Sequence, residues 1–498
     1  MKFDFNRNEF IDITDFSEKP FIVGSDLILS QKQVFDLHLK LKHVISQLNI
    51  PSGHPVCIYG EKEAIFPIVM ITLISLNIPY IPIDVIMPTG RISKIQEQTN
   101  SQVVINCSDK LCAVDFPIAL SKTFDVIKNK FQGPYDLLEN NGDPIRYILF
   151  TSGSTGVPKG VQITAKALNS FANWYLTWPL INTESVLMNQ APFSFDVSLC
   201  DFIACFGKGS TMVLNDYVIL KNGILFLQRL KAFNVTTLVC TPAFITMYLS
   251  VPEFNEIDYP FINQFVFMGE ELPVVTVKKL KNKFPNSKII NAFGPTEATV
   301  VTTYIEITDA ILTDYPKALP IGYCRPNAEM FILNKDNETG IGEIGICGDH
   351  LSIGYLKDVE KTNAAFIIYN GKRVYKTGDV GYIKDDIIFY LGRNDNQVKL
   401  NGYRIELEEI TNVLLTHPAI KNATVIPLTT KGVTKKIISF IILSHNITNL
   451  DEDLKSFLLN QLPHYMIPSE FIIKEEFPLN ANYKTDKKAL LESYLSNN

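Results

Sequence analysis

No stretch of this 498-residue chain stays apolar for the ~20 residues that a membrane-crossing helix needs. The most apolar run, Ala64 to Leu76, is shorter and contains Pro67, so a buried helix is expected there. The opening Met1-Lys2-Phe3-Asp4-Phe5-Asn6 lacks the apolar segment of an export signal. Positive charge is not in excess: 46 Lys and Arg against 52 Asp and Glu leave −6, which excludes a general attraction to nucleic acid or anionic membrane. The eight cysteines (57, 107, 112, 200, 205, 240, 324 and 347) form no C-x-x-C pair and lack zinc-site spacing. Most sit in strand-like runs such as Leu238-Val239-Cys240-Thr241, as buried thiols of a reducing, cytoplasmic setting do. None of the seven histidines lies beside a Ser or Cys in a hydrolase-like motif, and no catalytic triad is visible. Internal repeats and low-complexity tracts are absent as well.

What is present is the balance of a soluble globular protein, 46% hydrophobic and 20% charged. The chain is too long for one core, since cores stop growing at about 250–300 residues. Short β-rich runs (Val56-Cys57-Ile58-Tyr59, Val103-Val104-Ile105, Phe265-Val266-Phe267-Met268, Lys288-Ile289-Ile290-Asn291) alternate with helical patches such as Ile224–Phe233 and Pro273–Phe284. That alternation predicts parallel sheets covered on both faces. From about Gly342 to Tyr390 short strands and glycine turns predict a smaller β-rich subdomain. After Gly392-Arg393-Asn394-Asp395 a second unit reads as helix (Glu406–Leu415), strand (Ala423–Pro427), strand (Ile437–Leu443), helix (Leu450–Leu459) and strand (Glu470–Ile473). The fold class is therefore α/β. A large N-terminal domain (1–394) of stacked α/β sheets plus a β-rich subdomain is followed by a small α+β C-terminal domain (395–498). The polar ends, Met1–Asp15 and Glu492–Asn498, are expected to fray.

Five motifs carry the chemistry. In the first, a strand-like run Tyr147-Ile148-Leu149-Phe150 enters Thr151-Ser152-Gly153-Ser154-Thr155-Gly156-Val157-Pro158-Lys159. Glycines let backbone N–H groups approach an anion, the hydroxyls add donors, and Lys159 adds a point charge for phosphate. A Ser/Gly-rich linker would not need a lysine directly behind a strand. The loop is not the G-x-x-x-x-G-K-[ST] type, because no Ser or Thr follows a Gly-Lys pair. The second motif is Asn291-Ala292-Phe293-Gly294-Pro295-Thr296-Glu297, a turn at a strand's end, where open α/β sheets bind ligands. Phe293 can stack on a purine, Thr296 can bond a phosphate, and Glu297 can hold Mg²⁺; taken alone, the turn reads equally as an ordinary strand-to-loop connection.

The third motif, Tyr375-Lys376-Thr377-Gly378-Asp379, offers an Asp able to accept two hydrogen bonds from a ribose diol, or a plain solvated turn. The fourth, Gly392 to Ile410, begins charged and flexible at the domain boundary and ends in a helix whose acidic start suits the dipole. The fifth, Asn482-Tyr483-Lys484-Thr485-Asp486-Lys487, would by itself be a solvated terminal lysine pair.

In this order and spacing, from about Ser30 to Lys488, the motifs resemble the AMP-forming adenylating enzymes, and within them the adenylation domains of nonribosomal peptide synthetases. Weaker matches are Pro79 to Asp84, Gly342-Glu343-Ile344 with Gly354-Tyr355-Leu356, and Leu462 to Pro468. Asn189 to Ser198 and Gly294 to Val300 are especially similar to the D-alanine–carrier protein ligases.

The resemblance implies an ATP- and Mg²⁺-dependent enzyme with two half-reactions. A small amino acid, D-alanine as first choice, becomes an aminoacyl-AMP and then a thioester on phosphopantetheine. It implies that Thr151, Ser152, Gly153, Ser154, Thr155, Gly156 and Lys159 hold the pyrophosphate end, and that Asn291, Ala292, Phe293, Gly294, Pro295, Thr296 and Tyr390 surround the adenine and α-phosphate. Asp379 and Arg393 would take the ribose and Glu297 the metal. Lys484, the catalytic lysine, would bridge the carboxylate and the α-phosphate. Asp196 would pair with the α-ammonium, and Val197, Met268 and Val300 would line the side-chain pocket with Cys200, Ala243, Val266, Ala292 and Val301. The small domain would be mobile, turning about Asp395. Only fourteen residues follow Lys484, so the thiol is expected on a separate carrier protein.

Two departures stand out. Tyr483 replaces the family's glycine before the lysine, and Met268 stands where the D-alanine enzymes carry cysteine. L-Alanine, glycine, valine and proline therefore stay open, because neighbouring side chains differ by only ~1–3 kcal/mol per methylene. An acyl-CoA synthetase of the same fold is the competing reading, opposed by Asp196; a degenerate nucleotide-binding scaffold is another, opposed by Lys484 and Glu297.

Overall fold

A computed structural model describes residues 1–130, 137–138, 142–153, 158–179, 181–395, 397–430, 433–445, 449–478 and 485–496. It divides into two compact units: residues 1–85, 96–150 and 160–392, and residues 86–95, 151–159 and 393–498.

Two large sheets and a smaller one build the first unit. The nine-stranded sheet has the order Tyr323–Cys324, Thr303–Glu306, Lys288–Phe293, Gln264–Phe267, Thr237–Cys240, Val186–Asn189, Thr211–Leu214, Pro20–Val23 and Ile28–Ser30. Its inner strands run parallel and its edges antiparallel. The eight-stranded sheet, centred on parallel Tyr80–Asp84, Val56–Gly60 and Val103–Asn106, faces a core shared with the first. Helix Phe66–Ser75 lies within that core with nine of its ten residues buried. A helix apolar all round has to be enclosed, as expected for the run around Pro67. Strands Ala328–Leu333, Gly342–Gly348, Phe366–Tyr369, Lys372–Lys384 and Ile387–Arg393 form the β-rich subdomain.

In the second unit, Ile420–Thr430 pairs antiparallel with Val433–Leu443, and Glu470–Ile473 joins parallel to the latter. Helices Leu407–Leu415 and Leu450–Leu459 bury Ile410, Leu414, Leu454 and Leu458 in one cluster with Ile437 and Ile441. Among the described residues no helix is long and apolar enough to cross a membrane.

Three local expectations need correction. The N-terminus does not fray: Lys2–Asp4 pairs with Glu9–Ile11, and Phe3 and Phe5 are 2% and 3% exposed. Three phenylalanines, with Phe3 and Phe10 edge-to-face at 5.2 Å, outweigh the polar residues between them. The C-terminal stretch is helical over Lys487–Leu495, capped by Asp486 and anchored by Leu490. The charged first half of the boundary motif, expected to be flexible, ends in a strand: Gln397–Leu400 pairs with Tyr403–Glu406 through Asn401-Gly402, both at positive φ (52° and 84°). An Asn-Gly pair with that backbone is the two-residue turn whose twist suits a hairpin.

Two buried histidines tie stability to pH. His38 Nδ1 lies 2.9 Å from Thr72 Oγ1, whose hydroxyl donates to Ile68 O at 2.7 Å, so the ring nitrogen is the donor. Burial pushes His38 down from 6.5 to about 4, and burial, with Arg325 nearby, pushes His350 from 6.5 down to about 3. The unfolded chain therefore binds these protons more tightly than the folded one. The contribution of these two rings is full above pH 6.5 and is lost as pH falls below it, by up to about 1.4 kcal/mol per unit for each ring. In thermal melts from about pH 7 to about pH 5, the Tm of the parent is expected to fall relative to that of His38→Gln, whose dependence on pH lacks this ring's share. An unchanged slope in that variant would remove His38 from the account.

Candidate functional site

Register along the nine-stranded sheet sets the site's position. Val186–Asn189, Thr237–Cys240, Gln264–Phe267 and Lys288–Phe293 are parallel neighbours, with Asn189 opposite Val239, Cys240 opposite Phe267, and Phe267 opposite Asn291. Their carboxyl ends lie level, and the chain leaves each of them on the same edge. The departing segments carry Asp196 and Val197, then Met268, then Gly294 to Val300, while Asn291, Ala292 and Phe293 end the last strand. Of the expected pocket residues, Cys200, Val266, Met268, Ala292, Val300 and Val301 are buried, and Val197 and Ala243 are half-buried. Asp196 is also half-buried. Burial first, and then neighbours that include the Asp196 charge, pushes up the Tyr147 phenol and the Cys200 thiol, which sets Asp196 near both side chains.

The Gly294 turn is tightly folded. Thr296–Ala298 form a single 3-10 turn, after which Thr299 and Val300 take φ of 46° and 69°. A β-branched residue there is a steric outlier, of the strained kind found at functional sites. Hydrogen bonds hold it: Thr302 N–H donates to Phe293 O at 2.8 Å, and Thr299 Oγ1 donates to His350 O at 2.6 Å. Glu297 is fully buried, its Oε1 accepting from the Tyr355 hydroxyl at 2.9 Å. Among the described residues no cluster of three or more His, Cys, Asp or Glu gathers to hold a metal. A lone buried carboxylate suits a hard cation that takes its other ligands from phosphate oxygens and water, not a closed protein cage.

Phe293 and Tyr390 have ring centroids 6.5 Å apart at 36°. Asp379 is 2% exposed on strand Lys372–Lys384, its N–H donating to Thr377 Oγ1 at 2.9 Å.

Thr151–Lys159, expected to form a phosphate loop, belong to the second unit. Ser154, Thr155 and Gly156 lie outside the described residues, as do Asn482, Tyr483 and Lys484. Thr151 Oγ1 is buried with no hydrogen-bond partner among the described residues. Gly153 N–H donates to Glu409 Oε2 at 2.9 Å, and Lys159 pairs with Glu406 at 3.0 Å. Ser152 Oγ accepts from Glu406 N–H and donates to Arg404 O. Arg91, 4% exposed at its side chain, pairs with the buried Glu409 at 2.9 Å. The loop thus already holds anions, here carboxylates, through a backbone N–H and its lysine. The partners Arg91, Glu406 and Glu409 are not among the residues expected to form the site. The two glutamates had read as a helix start, and Arg91 carries no local signal. Arg393 grips Asp395 with both arms, at 2.8 and 2.7 Å; burial alone would raise that carboxyl, and the guanidinium holds it below its usual range.

Comparison with known proteins matches residues 12–356 to the AMP-binding enzyme family and residues 409–484 to the AMP-binding enzyme C-terminal domain. The chain is 37% identical over 458 residues to the D-alanine–D-alanyl carrier protein ligase of Bacillus licheniformis, covering 89% of this chain and 90% of that one. Its identity to the enzyme of the same name from Staphylococcus epidermidis is 37% over 467 residues, covering 93% and 94%. The Vibrio cholerae adenylation domain AlmE, solved with glycyl-adenosine-5'-phosphate, shares the fold with a TM-score of 0.80 at 20% identity, covering 96% and 95%. IdnL1 does so with a TM-score of 0.79 at 24% identity, covering 93% and 96%.

The turn's geometry has a direct test. A Cβ on Gly294 would lie 2.4 Å from Val300 O and 2.9 Å from Thr302 N, both backbone atoms with nowhere to go. Gly294→Ala is expected to cost about 1–3 kcal/mol in denaturant unfolding; a variant as stable as the parent would show that the loop relaxes freely.

Proposed function

The chain belongs to the AMP-binding enzyme family, and on that premise we propose that this AMP-forming ligase activates a small amino acid, D-alanine first, and passes it to the phosphopantetheine thiol of a separate carrier protein in the cytoplasm. Asp196 carries the reading: a carboxylate leaving the same sheet edge as the small, apolar, buried positions Cys200, Ala292, Val300 and Val301. A zwitterion with a short side chain suits both features, its ammonium meeting the carboxylate and its side chain the apolar positions, whereas a fatty acid offers no ammonium. The names of the relatives support D-alanine and a carrier protein.

In this reading the substrate's carboxylate oxygen bonds to the α-phosphorus of ATP, the α–β bridging P–O bond breaks, and pyrophosphate leaves. Thr151 to Lys159 hold the departing end, the anion-binding role that Gly153 N–H and Lys159 already play toward carboxylates. Thr296 bonds the α-phosphate, Phe293 and Tyr390 receive the adenine, and Asp379 with Arg393 takes the ribose. Glu297 would hold Mg²⁺, which neutralises triphosphate charge when bound. Lys484 bridges the carboxylate and α-phosphate. Both half-reactions need charge placement more than a strong base. The thiol sulfur then bonds to the acyl carbon, the bond to AMP breaks, and the thiol proton is lost. Residues 395–498 form the mobile domain and Asp395 its hinge.

Met268 is 2% exposed, and its bulk at a position where the D-alanine enzymes carry cysteine makes substrate choice the point to test. ATP–pyrophosphate exchange across D- and L-amino acids is expected to be strongest with D-alanine and absent with propionate. L-Alanine, glycine, valine and proline are the alternative winners. Exchange only with acids that lack an amine would favour an acyl-CoA synthetase instead. Lys484→Ala is expected to lower exchange by at least about 100-fold while ATP still binds; undiminished exchange would refute its role.

A further inference from the structure

Lys62 is a buried cation that neither the motifs nor the family reading uses. It follows strand Val56–Gly60 of the eight-stranded sheet and is 4% exposed. Its ammonium crosses to the nine-stranded sheet, donating to Asn189 Oδ1 and Ala191 O and standing 4.3 Å over the Phe193 ring. Phe193 in turn stacks on Phe66 at 4.7 Å. All three contacts fall on the segment between the end of strand Val186–Asn189 and Asp196.

Asn189, fully buried, is held at its other end as well. Its Nδ2 donates to Asp201 Oδ2 at 2.9 Å, and its main-chain oxygen accepts from Asn215 N–H. Asp201, 1% exposed on helix Ser198–Lys208, keeps its second carboxylate oxygen buried without a partner among the described residues. The amide is thus oriented by a cation on its oxygen and a carboxylate on its nitrogen, and the chain from 189 to 201, with Asp196 in its middle, is clamped from both sides. Glu61, Asp84 and Asp201 are the acids that face Lys62. Burial drives Lys62 down to about 7 and Asp201 up to about 8, and each shift is opposed by the other group's charge and, for Asp201, by the bond from Asn189. Apolar residues could join the two sheets at lower cost; what an ammonium adds is directional bonds to one loop.

We propose that Lys62 is a positioning residue for the substrate's α-ammonium group, fixing the loop that presents Asp196. The inference rests on the reading of Asp196 given above.

The test compares Lys62→Met, Lys62→Met/Asp201→Asn and Asp196→Asn in the full chain, with KM measured separately for amino acid and ATP. The double variant leaves neither buried charge and serves if the single one fails to fold. Losing the clamp is expected to raise the amino-acid KM roughly 10- to 100-fold with the ATP KM unchanged. It is also expected to narrow the preference for alanine over propionate. If Asp196→Asn raises the amino-acid KM but the Lys62 variants leave both KM values alone, or move both alike, Lys62 is only a staple between sheets and the proposal is overturned. If Asp196→Asn leaves the amino-acid KM unmoved, the reading of Asp196 falls, and this inference with it.

Discussion

Four parallel strands ending level with one another are the constraint from which the candidate site follows. Asn189 is tied to Val239, Cys240 to Phe267 and Phe267 to Asn291 across neighbouring strands, so the chain leaves the sheet four times along one edge. A slip of one residue would turn each strand's side chains to the opposite face, and both faces are packed, so register is strongly specified. Asp196, Met268 and Glu297 lie more than a hundred residues apart at the extremes, yet they need no contact with one another to share an edge; the ladder hydrogen bonds bring them there.

Buried charge then refines what register sets coarsely. Lys62 and Asp201 through Asn189, Arg91 with Glu409, and Glu297 with Tyr355 each place an ionisable group in a dry setting and hold it through specific bonds. Leaving one partner of such a buried pair alone costs about 3–5 kcal/mol, whereas an apolar replacement of both is often neutral. Their consequence is geometric: an amide that cannot flip, a loop N–H held on an anion, a carboxylate pinned by a phenol. Val300, at a φ of 69°, is the backbone counterpart, a strained residue kept in place by bonds from Thr299 and Thr302.

Much of the fold was legible because its signals are local. Helix Leu450–Leu459 and strand Glu470–Ile473 have the bounds read from the sequence, since each is a short periodic run with clear flanks. The strand-then-turn motifs at Phe150-Thr151 and Phe293-Gly294 were visible for the same reason. The Asn401-Gly402 hairpin had a signal, but the surrounding charges suggested a flexible linker instead. Phe3, Phe5 and Phe10 were overlooked because polar neighbours dilute three aromatic residues whose partners, such as Phe202, lie far along the chain.

Sequence alone determined the order of strands and helices, the α/β class and the identity of the hydroxyl, glycine, carboxylate and lysine positions, because propensity, turn chemistry and motif spacing act over a few residues. Tertiary structure decided which single polar residues matter beyond those motifs. Lys62, Arg91 and Asp201 sit in ordinary stretches and gain their meaning only from what lies across from them. Burial strengthens a charge's interactions and removes its water, and burial is a property of the packed chain that no local window contains.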